Sequence, residues 1–166
     1  MAQLNSFDIT STVDLQEVDN ALNQARKEIG QRYDLKGARA DIDFDRGKHT
    51  ITLVADDTFK LQAIWEIIQS RLVRRQVPVK NLKPSDVETV GGGAARQVIS
   101  LQQGIPSEAA RDIVKFLKDR KLKRVQAAIQ ADQIRVSSAS KDDLQEAMRL
   151  LRDEDFGIAL QFGNYR

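Results

Sequence analysis

The chain has 166 residues, of which 41% are hydrophobic and 30% are charged, with a formal net charge of +2 and no cysteine. This length suits one domain of average size or two small ones, and the composition is that of a folded protein rather than a disordered or fibrous one. The absence of cysteine excludes thiol nucleophiles, disulfides, iron–sulfur clusters and cysteine-ligated zinc.

The first half of the chain has the pattern of a strand, a helix, a hairpin and a second helix. Residues 6–13 alternate apolar and polar side chains, as a half-buried strand does. After Asp14, apolar residues recur at steps of three and four, the period of an amphipathic helix. The predicted elements are strand 6–13, helix 14–32, strands 38–45 and 49–55 around the turn Arg46-Gly47-Lys48, and a helix that Asp56 or Asp57 caps and that ends near Arg75.

Turn-forming residues separate this half from a second series of elements. The stretch 77–94 contains two prolines and the triplet Gly91-Gly92-Gly93, which we interpret as a linker between two repeats. The elements predicted after it are strand 95–102, a helix capped by Ser107, strands 124–131 and 133–138, a helix capped by Ser140, and strand 160–165.

The order β-α-β-β-α-β therefore occurs twice, with a period near 90 residues. Each copy has the split βαβ pattern of ferredoxin-like domains. The predicted fold class is α+β, with two ferredoxin-like domains as a tandem repeat. Each domain would place two helices on one face of a four-stranded antiparallel sheet and leave the other face open to a ligand.

Two features argue against a membrane or secreted protein. No apolar run exceeds three residues, whereas a spanning helix needs about 20. The first six residues carry neither the basic region nor the apolar stretch of a secretory signal. We therefore expect a cytoplasmic protein with no membrane partner.

Side chains that commonly carry catalysis are few. His49 is the only histidine and has no nucleophile beside it in sequence, so we interpret it as a solvated hairpin residue. Asp41, Asp43 and Asp45 share one face of a predicted strand, which indicates a solvated acidic face, with a divalent cation site as the alternative. No Walker A, H-E-x-x-H or G-x-S-x-G motif occurs. We expect no enzymatic activity, no cofactor and no bound metal.

Lysine and arginine cluster near the ends of two predicted helices. Residues 71–83 contain five basic residues and no acidic one, and residues 111–124 contain seven basic residues against two acidic ones. Such side chains complement the helix dipole, and they also bind phosphates in a salt-dependent way. The candidate phosphate ligands here are Arg71, Arg74, Arg75, Lys118, Lys121, Lys123 and Arg124.

Two further arginines are candidate phosphate ligands. Arg96 follows the glycine triplet, whose backbone N–H groups could approach a phosphate. Arg135 lies on the predicted open face of the second sheet among several glutamines. Aromatic side chains for base stacking are scarce on the predicted surface. The aromatic residues predicted in the core are Phe7, Phe44, Trp65, Phe116 and Phe162.

A series of short blocks carries a family resemblance. They include Ser6-Phe7-Asp8-Ile9, Tyr33-Asp34-Leu35-Lys36-Gly37, Gly91-Gly92-Gly93, Gln103-Gly104-Ile105, Lys121-Leu122-Lys123 and Asn164-Tyr165-Arg166. In this order the blocks resemble the bacterial YajQ family, from residue 6 to the C-terminus. The chain departs from the family at Gln102, where relatives often have lysine, and at 137–139, a segment usually richer in glycine and lysine. Both departures remove potential phosphate contacts.

The resemblance implies two ferredoxin-like domains that exchange their first strands. The domains would be 14–103, with strand 95–103 exchanged in, and 1–13 together with 104–166. The family is described as cytosolic and nucleotide-binding, with a suspected nucleic-acid role and no established catalytic activity, and some members as receptors for cyclic di-GMP. We therefore expect a nucleotide, single-stranded RNA or cyclic di-GMP as ligand. A protein-interaction module, such as a transcriptional regulator or adaptor, is the alternative.

Overall fold

The computed structural model describes residues 3–122 and 124–166. Within these ranges lie four α-helices and nine β-strands. The helices are α1 (Leu15–Gln31), α2 (Thr58–Arg74), α3 (Ser107–Asp119) and α4 (Lys141–Arg152). The strands are β1 (Asn5–Thr10), β2 (Ala40–Asp45), β3 (Thr50–Ala55), β4 (Leu82–Pro84), β5 (Glu88–Thr89), β6 (Ala95–Leu101), β7 (Gln126–Gln130), β8 (Gln133–Ser138) and β9 (Gln161–Gly163).

The chain forms two compact units, which we call the central unit (Val13–Gln102) and the terminal unit (residues up to Thr12 together with Gln103–Arg166). The central sheet has the strand order β2-β3-β6-β4, with β5 also paired to β6. The terminal sheet has the order β7-β8-β1-β9. All of these strand pairs are antiparallel, so the α+β fold class is confirmed. The first strand of the chain thus belongs to the sheet of the terminal unit.

The core of the central unit is formed by α1, α2 and the apolar side of its sheet. Leu22 of α1, Leu53 of β3 and Ile68 of α2 are fully buried in one cluster. Each helix begins at an aspartate whose side chain accepts backbone N–H groups, Asp14 for α1 and Asp57 for α2. The apolar period along the helices therefore decides which face is buried, and the caps decide where each helix begins.

The terminal unit has its own core, which combines strands and helices far apart in sequence. Phe7 of β1, Ile113 of α3 and Ile134 of β8 are fully buried. The rings of Phe7 and Phe162 meet edge to face at 5.7 Å. Among the described residues, no helix is long and apolar enough to cross a membrane.

The predicted linker role of the glycine triplet is wrong. The stretch 77–94 supplies β4 and β5, and both strands pair with β6 inside the central unit. The triplet itself forms a short 3-10 turn, Gly91–Gly93, just before β6. Sequence patterns miss β4 because three residues that end in a proline are too short to show alternation.

Two predicted element ends also differ from the structure. Ser107 is the first residue of α3, and Pro106 occupies the N-cap position without a side-chain hydrogen bond, so the predicted serine cap is wrong. The strand predicted at 124–131 is shorter, because residue 131 belongs to the tight turn before β8 and Arg124 precedes the strand. Ser140, by contrast, caps α4 as predicted and accepts the N–H of Asp143 at 3.2 Å.

Candidate functional site

Three predicted phosphate ligands come together at the C-terminal end of α2. Arg71, Arg74 and Arg75 line a depression of about 420 Å³ in the central unit, which we call the arginine depression. Arg71 donates to Glu28 at 2.6 Å, and Arg75 donates to Glu17 at 3.1 Å. Two of the three charges are therefore already balanced by carboxylates. Arg74 is exposed and has no ion-pair partner in the described ranges 3–122 and 124–166.

Arg96 lies elsewhere in the central unit, on β6. Its side chain lies 3.5 Å from Glu88 of the neighbouring β5, so this charge is also balanced. Along β2 of the same sheet, Asp41 and Asp43 are exposed, as expected for a solvated acidic face. The part of the chain that the structure describes contains no group of three or more His, Asp or Glu side chains that could hold a metal ion.

The second basic cluster follows α3 in the terminal unit. Lys118 and Lys121 are exposed and form no ion pair with any described residue. Arg124 lies 4.0 Å from Asp143 and is three-quarters exposed. Lys123 is outside the described residues. This cluster therefore presents cations to solvent.

Arg135 is engaged in a network on the open face of the terminal sheet. Its guanidinium donates to both carboxylate oxygens of Asp8, at 2.9 and 3.3 Å, and the Asn164 amide donates to the same carboxylate at 2.6 Å. Asp8 is only 6% exposed. The hydrogen bond from Arg135 holds the pKa of Asp8 below its usual value, although burial opposes this shift.

The glutamines expected on the same face differ in their hydrogen bonds and in their exposure to solvent. Gln161 accepts from the Thr12 hydroxyl at 2.8 Å and donates to the Thr12 carbonyl at 2.9 Å, so it joins β9 to the segment that follows β1. Gln126, Gln130 and Gln133 are exposed. Arg135 and Gln161 thus stabilise the sheet, and only part of the amide-rich face is open to solvent.

A fourth surface was not singled out by sequence patterns. The α4 cleft is a depression of about 300 Å³ between α4, β1 and the C-terminal segment. Its apolar wall consists of Phe7, Leu144 and Met148, each at most 5% exposed. The other residues that line it are Asn5, Ser6, Lys141, Gln145, Tyr165 and Arg166.

Local geometry explains why these side chains converge. The Ser140 cap places Lys141 at the first position of α4, and Leu144 follows three residues later on the same face of the helix. Beyond β9, Asn164 adopts a positive φ of 52°, and the chain then returns alongside β1. The backbones of Ser6 and Arg166 exchange two hydrogen bonds, at 3.1 and 3.0 Å.

The chemistry of the α4 cleft is mixed. The Tyr165 hydroxyl donates to the Phe162 carbonyl at 3.4 Å, while the residue remains 61% exposed. Neither Lys141 nor Arg166 forms a side-chain ion pair among the residues described. An apolar wall, an exposed ring and two cations with no ion-pair partner among the described residues suit an anion that carries a flat ring. The charge of Arg166 also helps to lower the pKa of Asp8.

The scarcity of exposed aromatic residues expected from the sequence is wrong. Tyr33 is 95% exposed and Phe59 is 84% exposed, in addition to Tyr165. Tyr33 lies in a 3-10 turn after α1, and Phe59 is near the start of α2, where the periodic apolar stripe does not apply. The five aromatic residues predicted in the core do pack there.

Comparison with known proteins shows which protein family this chain resembles over its length. The family described as nucleotide-binding protein YajQ-like matches residues 5–166. This chain belongs to the YajQ-like family. A "Nucleotide-binding protein" of Geobacter metallireducens is 52% identical over 161 residues, which cover 97% of this chain and 98% of that protein. A protein of the same description from Alkaliphilus oremlandii is 48% identical over the full length of both chains.

The part of this YajQ-like protein that matches the family includes the four surfaces described above: the arginine depression, the basic cluster after α3, the open face of the terminal sheet and the α4 cleft. The matched residues 5–166 include every residue that lines the α4 cleft and the arginine depression. A third relative, from Trichlorobacter lovleyi, is 49% identical over 97% of this chain and 98% of its own length. The relatives are therefore comparable over both units rather than over one.

Proposed function

We propose that this YajQ-like protein binds nucleotides without converting them, and that the α4 cleft holds the nucleotide. The observation that carries the proposal is an apolar wall beside two cations with no ion-pair partner among the described residues. The base would stack on the exposed ring of Tyr165, and the phosphate would contact Lys141 and Arg166. The description of the family and of the relatives as nucleotide-binding supports this assignment.

The α4 cleft suits a nucleotide better than the other surfaces do because it offers both kinds of contact. Stacking of a base on an aromatic ring is worth about 1–3 kcal/mol, and a hydrogen bond to a charged group about 1.5–3 kcal/mol. The arginine depression has no buried apolar residue in its lining, and carboxylates already balance two of its three arginines. Its volume of about 420 Å³ is larger, but size alone supplies no recognition.

The binding test is a titration of a fluorescent guanosine triphosphate against the wild type and single variants. We expect Lys141→Ala, Arg166→Ala and Tyr165→Ala each to weaken binding about tenfold, since each removes about 1.4 kcal/mol or more. Lys27→Ala is the matched control, because Lys27 is an exposed helical lysine of the central unit. Unlabelled AMP, cyclic di-GMP and a short single-stranded RNA serve as competitors and identify the ligand class.

Two results would contradict the proposal, one for the location of the site and one for the absence of catalysis. Unchanged affinity in the Lys141→Ala and Arg166→Ala variants would exclude the α4 cleft as the phosphate site. Steady hydrolysis of the nucleotide that is lost in His49→Ala would show an enzyme rather than a binding protein. Efficient competition by cyclic di-GMP, together with the loss in the cleft variants, would assign that dinucleotide to the cleft.

We also propose that exposed cations outside the cleft contact the phosphates of a longer strand. Lys118, Lys121 and Arg124 of the terminal unit face solvent, which supports this role. Arg74, which is also exposed, is a separate candidate in the central unit. Among the sequence candidates, Lys123 belongs to the same basic run. Arg71, Arg75, Arg96 and Arg135 are weaker candidates, because a ligand would have to displace a carboxylate from each.

Salt dependence tests this second proposal. For single-stranded RNA, the logarithm of affinity falls with the logarithm of salt concentration by about 0.7 per neutralised phosphate. We expect the combined change Lys118→Ala, Lys121→Ala and Arg124→Ala to reduce that slope by about 2, while Lys27→Ala leaves it unchanged. An equal slope in the triple variant and the wild type would show that these cations do not touch the strand.

A protein-interaction module remains the alternative function. A transcriptional regulator or adaptor would present an open sheet face or an edge strand to its partner. Capture of the same partner by the immobilised protein before and after nuclease treatment would favour this alternative. Loss of every partner after that treatment would favour nucleic acid.

We further propose that both units are ferredoxin-like domains with exchanged first strands. In the terminal unit the elements β1, α3, β7, β8, α4 and β9 follow one another, and the first strand lies between the third and the fourth in the sheet. In the central unit β6 occupies that same sheet position, although it follows β4 in the chain. The strand orders support the boundaries 14–103 and 1–13 with 104–166.

A further inference from the structure

Strand β7 is an edge of the terminal sheet that lacks the usual protection against pairing. It pairs with β8 on one side only. Its sequence, Gln-Ala-Ala-Ile-Gln, contains no charge and no proline, and four of its five residues are exposed. Such edges are templates for pairing with another strand.

The other edge strands carry features that discourage pairing, and the shortest of them, β5, has two residues, one of which is Glu88. β2 presents three aspartates, at positions 41, 43 and 45. β4 has three residues and ends in Pro84, and β9 also has three residues. Charges, proline and short length are the devices that keep sheet edges apart. Among the edges described, β7 is therefore the one suited to pairing.

The position of the turn decides which backbone groups of β7 are free. Gln130 and Gln133 face each other across the two-residue turn Ala131-Asp132, so they form a hydrogen-bonded pair. In an antiparallel ladder, such pairs alternate with pairs whose N–H and C=O groups point away from the partner strand. The groups of Ala127 and Ile129 therefore point away from β8, toward the open edge.

We propose that β7 pairs antiparallel with β7 of a second copy of this chain, about a two-fold axis that passes beside Ala128. In this register Ala127 of one copy faces Ile129 of the other, and each Ala128 faces its counterpart. The residues with free backbone groups, Ala127 and Ile129, therefore face each other across the two copies. Each of these two pairs exchanges two main-chain hydrogen bonds, which gives four in all.

The side chains agree with the same register. Ile129, now 48% exposed, would contact Ala127 of the second copy, and Gln126 would lie opposite its Gln130. Beyond the strand ends, the axis brings Arg124 of one copy toward Asp132 of the other, and both are exposed. Arg124 lies 4.0 Å from Asp143 in its own chain, so its contact with Asp132 would replace or share that long ion pair. Because the symmetry repeats each contact, two pairs of opposite charge flank an uncharged strand pair.

A five-residue strand pair buries a small area, so the dimer is expected to be weak and concentration-dependent. Sedimentation velocity across a dilution series should show a monomer that converts to a dimer as concentration rises. We expect Ala128→Lys to weaken dimerisation at least tenfold, because the two introduced ammonium groups lie opposite each other at the axis. Ala128→Glu should also weaken dimerisation, although Arg135, which faces residue 128 on β8, offsets part of the repulsion between the two glutamates.

The decisive step mixes the two variants. An equimolar mixture of Ala128→Lys and Ala128→Glu should restore dimers, because a lysine then faces a glutamate across the axis. Gln133→Lys is the matched control, since this exposed residue lies on the same sheet but off the edge, and it should dimerise like the wild type. Ala128 is exposed, and circular dichroism of each variant verifies its fold.

Three results would overturn the proposal. They are a wild type that stays monomeric over the whole accessible concentration range, dimers that persist in Ala128→Lys, and a mixture that fails to restore them. Persisting dimers would place the interface on another surface.

Discussion

Replacing Gly104 with alanine should lower the free energy of unfolding by about 2–5 kcal/mol. Gly104 has a φ of +84°, a region that costs other residues about 1–2 kcal/mol. A Cβ atom at this position would also lie 2.6 Å from Oδ2 and 2.7 Å from Cβ of Asp132, a contact that forces the backbone or the turn to move and adds about 1–3 kcal/mol.

The turn around Gly104 cannot relax easily because hydrogen bonds hold both sides of it. The Gly104 N–H donates to the Ser11 carbonyl at 2.6 Å, and the Ile105 N–H donates to the Asp132 carbonyl at 2.9 Å. These bonds connect residues 104 and 105 to the segment just after β1 and to the turn between β7 and β8. We expect the loss of stability to appear as a lower denaturation midpoint in urea.

Gly30→Ala is the control variant, for which we expect a higher free energy of unfolding instead of a lower one. Gly30 lies in the last turn of α1, is exposed, and has no atom within 4 Å of an added Cβ. Alanine is a better helix former than glycine by about 0.8–1.0 kcal/mol, so this variant should be slightly more stable than the wild type. Equal stability of Gly104→Ala and the wild type would contradict the close contact with Asp132.

Asp8→Asn should lower the free energy of unfolding by about 1–3 kcal/mol at neutral pH. Asparagine is uncharged and replaces one acceptor oxygen by an amide donor, so Arg135 loses its ion-pair partner and one of its two bonds. The expected loss is moderate because about a third of the Arg135 side chain stays in water.

The same variant predicts a specific pH dependence. The pKa of Asp8 is lower in the folded protein than its ordinary value of 3.8, so its stabilising effect is complete above that value. The effect is lost as pH falls through the lower, folded pKa. The stability difference between wild type and Asp8→Asn should therefore be constant from neutral pH to about pH 5 and shrink below about pH 4.

Comparison with the variant isolates Asp8 from the other acidic residues. The pKa values of Asp34 and Glu146 are also lowered, by hydrogen bonds from Arg32 and Arg149, and both remain in each protein. Urea unfolding curves at several pH values give the difference directly. A difference that does not change down to pH 2 would show that protonation of Asp8 does not weaken its contact with Arg135.

Local patterns were sufficient for most elements of the fold. The alternation in β1 and the apolar period after Asp14 predict a strand and a helix at nearly the observed positions. These predictions succeed because each depends on residues within a few positions of one another. Sequence patterns miss strand β4 because its pairing with β6 joins residues 15 to 19 positions apart, and these three residues form a strand only in the assembled sheet.

The candidate sites depend even more than the strands on contacts between residues far apart in the sequence. The basic residues of α2 are visible in the sequence, but the acidic partners of Arg71 and Arg75 are on α1, more than 40 residues away. Whether a charge is free for a phosphate therefore depends on helix packing. The α4 cleft joins β1, α4 and the C-terminal segment, which lie at opposite ends of the chain.

The sequence by itself determined most of the strands and helices in chain order, the absence of thiol chemistry, and the positions of the basic clusters. It did so because composition and periodicity are local properties. The tertiary structure alone decided which sheet β1 and β6 join, which arginines keep a free charge, and which strand edge is open. Those outcomes depend on contacts between segments far apart in the chain, whose register is set by packing and backbone hydrogen bonds.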